Sequence, residues 1–258
     1  MSGIETGAGP RATLREYLRG GPFALAMSSG FFAFFAHTGF LMVLEDEGLV
    51  PSRVSGSSAG ALVATAWAAG LDAKPLAGEL ERLERAHFWD PGPGPGLLRG
   101  RLFRDKLEAL LPSRAFAACR VPAAVSVFDV RTRRTRVVER GDLACAIHAS
   151  CAVPLLFHPV SVEGRPSLDG GVLDRPGLAG MPASEPRVLF HHIASKSPWR
   201  LTQELPSRRG MVSVVLTGLP RPGPFRLDEG RRALEAARRA TRRALDRPLG
   251  GGVVIEAA

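Results

Sequence analysis

The chain has 258 residues, of which 45% are hydrophobic and 23% charged, the composition of a globular protein with a substantial core. Its formal net charge of +9 comes almost entirely from arginine, because Lys74, Lys106 and Lys196 are the only lysines. A basic balance of this size favours an acidic surface or ligand as a partner without identifying it, and the composition excludes a disordered or fibrous chain.

Strand and helix patterns alternate along the chain, beginning with an amphipathic helix at 11–19, a buried strand at 23–27 and a helix at 31–47. The later predicted elements are a strand around Val54, helices at 59–70, 74–87 and 101–111, strands at 123–129 and 135–139, a helix at 142–150, strands at 187–195 and 211–218, and a helix at 228–247. We interpret the Pro/Gly stretch within 89–100 as a surface loop and 151–180 as a turn-rich segment. This alternation predicts an α/β fold with a mostly parallel sheet covered on both faces.

We expect one domain over 1–258, with an N-terminal extension at 1–20 and an arginine-rich helix and tail at 228–258. The longest apolar run, 31–44, is too short to span a bilayer, and residues 1–20 lack the apolar core of a signal peptide. The three cysteines are an odd number without metal-type spacing, which favours reduced thiols. A cytoplasmic protein is therefore expected, and the oligomeric state is not predicted.

The most informative motif is G-x-S-x-G at Gly56–Gly60, between the strand at Val54 and the helix at 59–70. A serine hydroxyl is a poor nucleophile unless a strained, exposed turn holds it beside a base and an anion hole. The glycines Gly56 and Gly60 permit a sharp bend and close helix packing, and the helix N-terminus adds a positive field. Ser58 is the candidate nucleophile of this elbow, although serines also occupy such positions merely as helix caps.

A serine nucleophile needs a base, and two arrangements are open. A histidine base in the chain order of an α/β-hydrolase would combine Ser58, Asp142 and His191 or His192. Against this arrangement, only one convincing strand precedes the elbow, and both histidines fall inside a predicted buried strand. Each histidine also has a plain structural interpretation.

The other candidate base is Asp169, which precedes Gly170 and Gly171. An ordinary aspartate, with a pKa near 3.9, is a weak base at neutral pH, but desolvation raises its pKa and lets it accept a hydroxyl proton. The two glycines would allow close backbone approach to Ser58. The plain alternative is a hairpin turn built on Asp-Gly-Gly.

An anion hole needs preorganised donors, and the segment 28–31 lies at a strand end and opens a helix. The backbone N–H groups of Gly30 and Phe31 are the candidate donors. By itself the segment is equally consistent with a simple helix cap.

Four segments together carry a resemblance to a known family: 23–44 with Ala36-His37-Thr38-Gly39-Phe40-Leu41, Gly56-Ser57-Ser58-Ala59-Gly60-Ala61-Leu62, Ala149-Ser150-Cys151-Ala152-Val153-Pro154 and Leu168-Asp169-Gly170-Gly171. In this order and spacing, residues 23–175 resemble the patatin-like phospholipases. The resemblance implies a three-layer αβα sandwich and a Ser–Asp dyad without histidine, with Ser58 as nucleophile and Asp169 as base. It further implies hydrolysis of lipid acyl esters through an acyl-enzyme, with no cofactor and no metal.

The chain departs from this family in the segment that should form the anion hole. Family members carry three glycines, one further residue, a basic residue and another glycine, whereas here only Gly30 survives and Ala33 replaces the basic residue. Phenylalanine does not adopt positive φ cheaply, so a requirement for it at Phe31 would distort the hole. Phe31, Phe32, Phe34 and Phe35 are interpreted either as core or as an apolar wall for an acyl chain or membrane, with Trp89, Leu97 and Leu98 as a second apolar lip.

The arginines of the C-terminal helix, from Arg231 to Arg247, form either a solvated face or a docking face for anionic headgroups. Nucleic-acid binding is not expected, because no recognisable module is present and aromatic residues are not interleaved with these arginines. The leading prediction is a serine esterase acting on lipid or ester substrates, with peripheral contact to an anionic membrane. The alternative is a catalytically weak or inactive protein of the same fold that binds lipid or anionic membranes.

Overall fold

The structure is a computed structural model that describes residues 11–194, 205–249 and 254–257. Its helices are α1 (Leu14–Arg19), α2 (Phe34–Asp46), α3 (Ala59–Ala68), α4 (Ala73–Glu81), α5 (Arg101–Leu110), α6 (Leu143–Ser150) and α7 (Leu227–Leu245). Its strands are β1 (Ala24–Met27), β2 (Arg53–Ser57), β3 (Ala123–Asp129), β4 (Arg134–Val138), β5 (Val160–Val162), β6 (Arg165–Asp169), β7 (Val188–Ile193), β8 (Met211–Leu216) and β9 (Val254–Ala257). Short 3₁₀ turns occupy Arg85–His87, Phe116–Ala118 and Gly170–Val172.

The described strands form one sheet in the order β5-β6-β3-β2-β1-β7-β8-β9, with β4 also paired to β3. Every pairing from β3 to β9 along this order is parallel, whereas β4, β5 and β6 make antiparallel pairs. All four residues of β1 are buried, as expected for a central parallel strand covered on both faces. The predicted α/β class with a mostly parallel central sheet is therefore confirmed.

The two faces of the sheet have separate apolar layers, which follow from the alternation of side chains along each strand. Leu25 and Met27 of β1 face a large core shared with the helices. Ala24 and Ala26 face the opposite side and pack with Phe190 and with Met181, which lies in the segment 174–187. This second covering layer is made of turns in the described structure rather than of regular helix.

Helices α2 and α7 pack against each other, and Gly39 lies at their contact. A Cβ at Gly39 would overlap the backbone carbonyl of Leu234 and would lie 3.3 Å from the Ala237 methyl group. The absent side chain therefore lets α7 lie directly against α2. Because α2 leads out of the turn at 28–33, this packing also supports the candidate anion hole.

The structure corrects several predicted boundaries. Helix α2 begins at Phe34 rather than Phe31, and the helix predicted at 74–87 ends at Glu81 before a separate 3₁₀ turn. The turn-rich segment 151–180 contains β5 and β6, and the C-terminal tail adds β9 to the sheet. Residues 1–10 of the predicted extension and residue 195 of the predicted strand lie outside the described residues, and the single domain over 1–258 stays a prediction.

Four arginines of α7 bond to groups within the protein, two of them to glutamates of the same helix. Arg231 donates to the carbonyls of Glu81 and Leu83. The further pairs of this helix are Arg232–Glu229, Arg238–Glu235 and Arg242–Asp46. Buried Ala233, Leu234 and Ala237 form its opposite face, so α7 is an amphipathic helix docked on α2.

Two glycine-to-alanine substitutions inside helices should change stability in opposite directions. Gly39→Ala should destabilise the fold by about 1–3 kcal/mol, because its methyl group would push α7 away from α2. Gly78→Ala in α4 meets only the flexible Arg82 side chain, at 3.7 Å, and should stabilise by about 0.5–1 kcal/mol through helix propensity. Urea unfolding of both variants measures this difference, and equal effects would contradict the proposed role of Gly39 in helix packing.

Candidate active site

Ser58 occupies a tight turn between the end of β2 and the start of α3. Its backbone has φ 52° and ψ −123°, a conformation that costs an L-residue about 1–3 kcal/mol. A side chain at Gly60 would overlap the Met27 carbonyl of β1, and one at Gly56 would lie 2.6 Å from the Ala61 nitrogen. Ser58 thus lies in a strained strand-to-helix turn, and the two glycines make room for it.

Ser58 and Asp169 are in direct hydrogen-bond contact. The Ser58 hydroxyl donates to Asp169 Oδ2 at 2.6 Å, and the Gly171 N–H donates to Oδ1 of the same carboxylate at 2.7 Å. Asp169 is the last residue of β6, and the 3₁₀ turn at Gly170–Val172 follows it directly. A side chain at Gly170 would overlap the Ser126 carbonyl, so the backbone of this turn lies directly against β3.

Burial sets the protonation behaviour of this pair. Desolvation raises the pKa of Asp169 to about 6, although the hydrogen bonds from Ser58 and Gly171 oppose the increase. The neighbouring Cys151 thiol has a pKa raised well above its ordinary value, because it is desolvated and the Asp169 carboxylate is near. At neutral pH the site therefore combines a carboxylate of increased basicity with a thiol that stays protonated.

Ser150 is a polar contact that the sequence argument did not assign. The Ser58 N–H donates to Ser150 Oγ at 2.8 Å, and the Ser150 hydroxyl donates to the Ser126 carbonyl of β3 at 2.7 Å. Ser150 thus links the elbow to β3 and satisfies the amide of the strained residue. The only sequence signal for it was its place within the motif at 149–154.

The turn after β1 contains the predicted anion-hole residues. The Ser28 and Ser29 amides donate to the carbonyls of His191 and Arg175, whereas no hydrogen bond from the Gly30 or Phe31 amide occurs within the described residues. Both residues line the same cavity as Ser58. Their N–H groups therefore remain the candidate donors of an anion hole.

The left-handed residue of this turn is Phe32, with φ 55°, and not Phe31. Its ring contacts those of Phe31 at 4.9 Å, Phe34 at 5.2 Å and Phe88 at 5.7 Å between centroids. Aromatic pairs at such separations contribute about 0.5–1.5 kcal/mol each, comparable to the conformational cost of one left-handed residue. The aromatic cluster thus stabilises a turn that a glycine would adopt more easily.

The histidine triad weighed from the sequence is not assembled. His191 is buried, stacks on Phe40 at 3.8 Å and shares a 2.8 Å contact between ring Nδ1 atoms with His37. Asp142 instead accepts the Cys145 N–H and so caps α6.

His37 stabilises the candidate anion-hole turn through a hydrogen bond to the Ser28 carbonyl. Its Nε2 lies 2.8 Å from the Ser28 carbonyl, which can only accept, so His37 carries its proton on Nε2. His37 Nδ1 then accepts from His191 Nδ1–H. Burial lowers the pKa of both rings, to about 3 for His37, so the pair is neutral and its role is structural.

An apolar cavity extends from Ser58 between α4, α5 and the loop 88–98. The residues that line it include Phe31, Phe32, Phe34, Leu62, Leu76, Phe88, Trp89, Leu98, Phe103, Leu107, Leu156 and Phe157. Three of the four phenylalanines at 31–35 thus form its wall, as the apolar-wall interpretation expects, whereas Phe35 is fully buried in the main core. Of the three residues predicted to form a second apolar lip, Trp89 and Leu98 line the cavity, whereas Leu97 is exposed to solvent.

Within the described part of the chain, no cluster of three or more histidine, cysteine, aspartate or glutamate side chains is placed to hold a metal ion. All three cysteines are free thiols. No helix among residues 11–194 and 205–249 is both long and apolar enough to cross a bilayer.

Comparisons with known proteins agree with the geometry. Residues 25–180 match the family model described as patatin-like phospholipase. Uncharacterized NTE family proteins of Mycobacterium bovis and Mycobacterium tuberculosis H37Rv are each 32% identical over 154 residues, which is 58% of this chain and 43% of each relative. The chain therefore spans less than half the length of these curated relatives.

Among solved structures, VipD from Legionella pneumophila superposes with a TM-score of 0.66 at 15% identity, covering 87% of this chain and 67% of that one. At this level of identity the likeness concerns the fold alone.

Two buried aspartates in this region should respond oppositely to the same substitution. The increase of the Asp169 pKa from 3.8 to about 6 means that ionisation in the folded state costs on the order of 3 kcal/mol, and stability falls as pH rises between these values. Asp169→Asn should therefore be more stable than the parent at pH 8, with a difference that shrinks towards pH 4. Thermal unfolding across this pH range measures the effect.

The matched control is Asp174→Asn. The Asp174 carboxylate accepts bonds from the Ser126 hydroxyl and from the amides of Gly177, Leu178 and Ala179. The NH₂ group of asparagine cannot accept the bonds made to the carboxylate oxygen that it replaces, so this variant should lose about 1–3 kcal/mol. An Asp169→Asn protein that is less stable than the parent at pH 8 would contradict the desolvation account.

Proposed function

Because the chain belongs to the patatin-like phospholipase family, we propose that it is a serine acyl-ester hydrolase acting on lipid or phospholipid esters. The observation that carries this proposal is the 2.6 Å hydrogen bond from the Ser58 hydroxyl to Asp169 at the end of an apolar cavity. A nucleophile, a base and an apolar space for an acyl chain thus occur at one place. Ser58 is proposed as the nucleophile and Asp169 as the base.

In the first half-reaction the Asp169 carboxylate takes the hydroxyl proton as Ser58 Oγ forms a bond to the ester carbonyl carbon. The electron pair of the carbonyl moves onto its oxygen, which the N–H groups of Gly30 and Phe31 stabilise. Each such donor contributes about 3–4 kcal/mol to the transition state. Collapse of this intermediate expels the alcohol, which takes the proton from Asp169, and leaves Ser58 acylated.

In the second half-reaction Asp169 removes a proton from water, whose oxygen attacks the acyl carbon. The tetrahedral intermediate collapses to the free acid, and the proton returns from Asp169 to Ser58 Oγ. No imidazole is needed, because one desolvated carboxylate serves as base and then as acid in each half-reaction.

The altered glycine segment is compatible with this chemistry. Anion stabilisation uses backbone N–H groups, which need no particular side chain at Gly30 or Phe31. Ala33, which replaces the basic residue of the family, is buried and donates its N–H to the Gly30 carbonyl at 3.1 Å. The N-terminus of α3 lies directly behind Ser58 and adds a further positive field.

A fluorophosphonate probe should label Ser58, and Ser58→Ala should lose labelling and reduce ester hydrolysis at least about a thousandfold. Ser57→Ala is the matched control, because the Ser57 hydroxyl is buried without a hydrogen-bond partner in the described structure and its loss should leave labelling intact. Labelling is read by mass spectrometry and turnover with short-chain and phospholipid esters. A folded protein that is neither labelled nor active on any ester would favour the alternative, a lipid-binding protein without catalysis.

The pH dependence of kcat/KM should follow the carboxylate. Only ionised Asp169 accepts the proton, so activity should rise with pH, reach half of its plateau near pH 6 and stay level towards pH 8. His191→Ala should leave this midpoint unchanged, because that ring bonds to His37 and not to Ser58. A midpoint that is lost in His191→Ala while the protein stays folded would identify a histidine as the base.

A further inference from the structure

Exposed large apolar side chains collect around the entrance to the cavity. In the described residues eight such side chains are exposed, and six of them lie in segments that border the Ser58 site. These six are Phe31, Leu97, Leu155, Val172, Leu173 and Phe225. Isolated surface leucines need no explanation, but a group around one opening indicates a contact surface.

Contacts on the protein connect these side chains to the cavity. The Leu97 N–H donates to the Leu155 carbonyl at 3.0 Å, so the two leucines lie on adjacent backbone segments. The Phe225 ring lies 5.5 Å from that of Trp89, which lines the cavity, and Phe31 lines the cavity itself. Leu173 follows the Asp169 turn and donates its N–H to the Gly170 carbonyl. We call five of these six side chains the rim, namely Phe31, Leu97, Leu155, Leu173 and Phe225.

Leu155 is the most exposed member of the rim and is also conformationally strained. Its side chain is 84% exposed, and its backbone has φ 67°. Glycine or asparagine would occupy such a position at lower conformational cost. A left-handed, solvent-exposed leucine is unfavourable in water on both counts, and removal of its side chain from water would offset part of this cost.

Four arginines beside the rim form no ion pair within the described residues. Arg99 and Arg101 follow Leu97, and Arg221 and Arg226 flank Phe225; all four are exposed. The nearby Asp90 is occupied by the amides of Gly100, Arg101 and Leu102, which it caps. Apolar side chains bordered by free guanidinium groups match a surface that is apolar inside and anionic at its headgroups.

We propose that the rim docks on an anionic lipid surface, so that an acyl chain passes from the lipid into the cavity beside Ser58. This proposal rests on the proposed function for its purpose, but the docking itself requires no catalysis. It places the membrane contact at the cavity entrance and not on α7, whose Arg231, Arg232, Arg238 and Arg242 are bonded within the protein.

The test measures binding of Ser58→Ala protein to vesicles by co-sedimentation, so that turnover does not alter the lipid. Vesicles of phosphatidylglycerol and phosphatidylcholine should bind the protein more tightly than phosphatidylcholine alone. In that background Leu155→Asn and Phe225→Ser should each weaken binding about tenfold or more, since each removes most of a large apolar side chain. Leu155→Asn also suits a left-handed backbone, so a thermal midpoint at or above that of the parent shows that the loss is not unfolding.

Two matched controls separate the rim from other surfaces. Val50→Asn removes an exposed apolar side chain between α2 and β2, away from the cavity, and should leave binding unchanged. Arg221→Gln with Arg226→Gln should weaken binding to anionic vesicles only, whereas Arg239→Gln, on the exposed face of α7, should have little effect.

Three outcomes would overturn the proposal. In the first, the rim variants bind vesicles as tightly as the parent. In the second, Val50→Asn or Arg239→Gln weakens binding as much as the rim variants do. In the third, the rim variants abolish only self-association in analytical ultracentrifugation, which would identify a second copy of the chain as the occupant. Hydrolysis of a soluble short-chain ester is measured separately with Ser58 intact. Binding by a protein that is neither labelled at Ser58 nor active on any short-chain or phospholipid ester would reject the proposed function and leave the docking surface standing.

Discussion

Strand β3 is the element on which the candidate site depends, because it holds both partners of the Ser58–Asp169 contact. Its first half pairs in parallel with β2, with Ser126 opposite Ser57, and its second half pairs in antiparallel with β6, with Val127 opposite Asp169. One short stretch of backbone therefore fixes the end of the elbow strand and the end of the aspartate strand. The side chains of two residues far apart in sequence meet at 2.6 Å because neighbouring residues of β3 set both registers.

The same stretch also carries the supporting contacts. The Ser150 hydroxyl donates to the Ser126 carbonyl, and its oxygen accepts the Ser58 N–H. The Ser126 hydroxyl donates to the Asp174 carboxylate. Unfavourable features concentrate around this scaffold: Ser58 and Phe32 have positive φ, and Asp169 is a desolvated carboxylate. A conformation that costs a few kcal/mol persists only where the packing around it holds it in place. The buried sheet and helices α2, α3 and α6 provide that packing.

Much of this arrangement follows from local sequence pattern. The continuous apolar run before Met27 and the alanine-rich segment after Ser58 predict β1 and α3, because burial on all sides selects such residues. The sequence does not predict β5, β6 and β9, because each has only three to five residues and little periodicity. These segments are strands because they pair with neighbouring strands. The glycine motif marks Asp169 as a candidate in the sequence, whereas the contacts of Ser150 and His37 with the candidate site are tertiary and no local pattern predicts them.

The phenylalanine-rich turn at 31–34 shows how the altered segment serves two needs at once. Its backbone leaves the Gly30 and Phe31 amides without a hydrogen-bond acceptor in the described residues, while its side chains form one wall of the apolar cavity. Glycines would allow the same backbone path without strain but would leave that wall empty. With phenylalanine in their place, Phe32 has a strained left-handed backbone, but its ring gains aromatic contacts with Phe31, Phe34 and Phe88. The departure from the family pattern therefore agrees with the proposed function, since the residues that replace the glycines add apolar surface to the cavity beside Ser58.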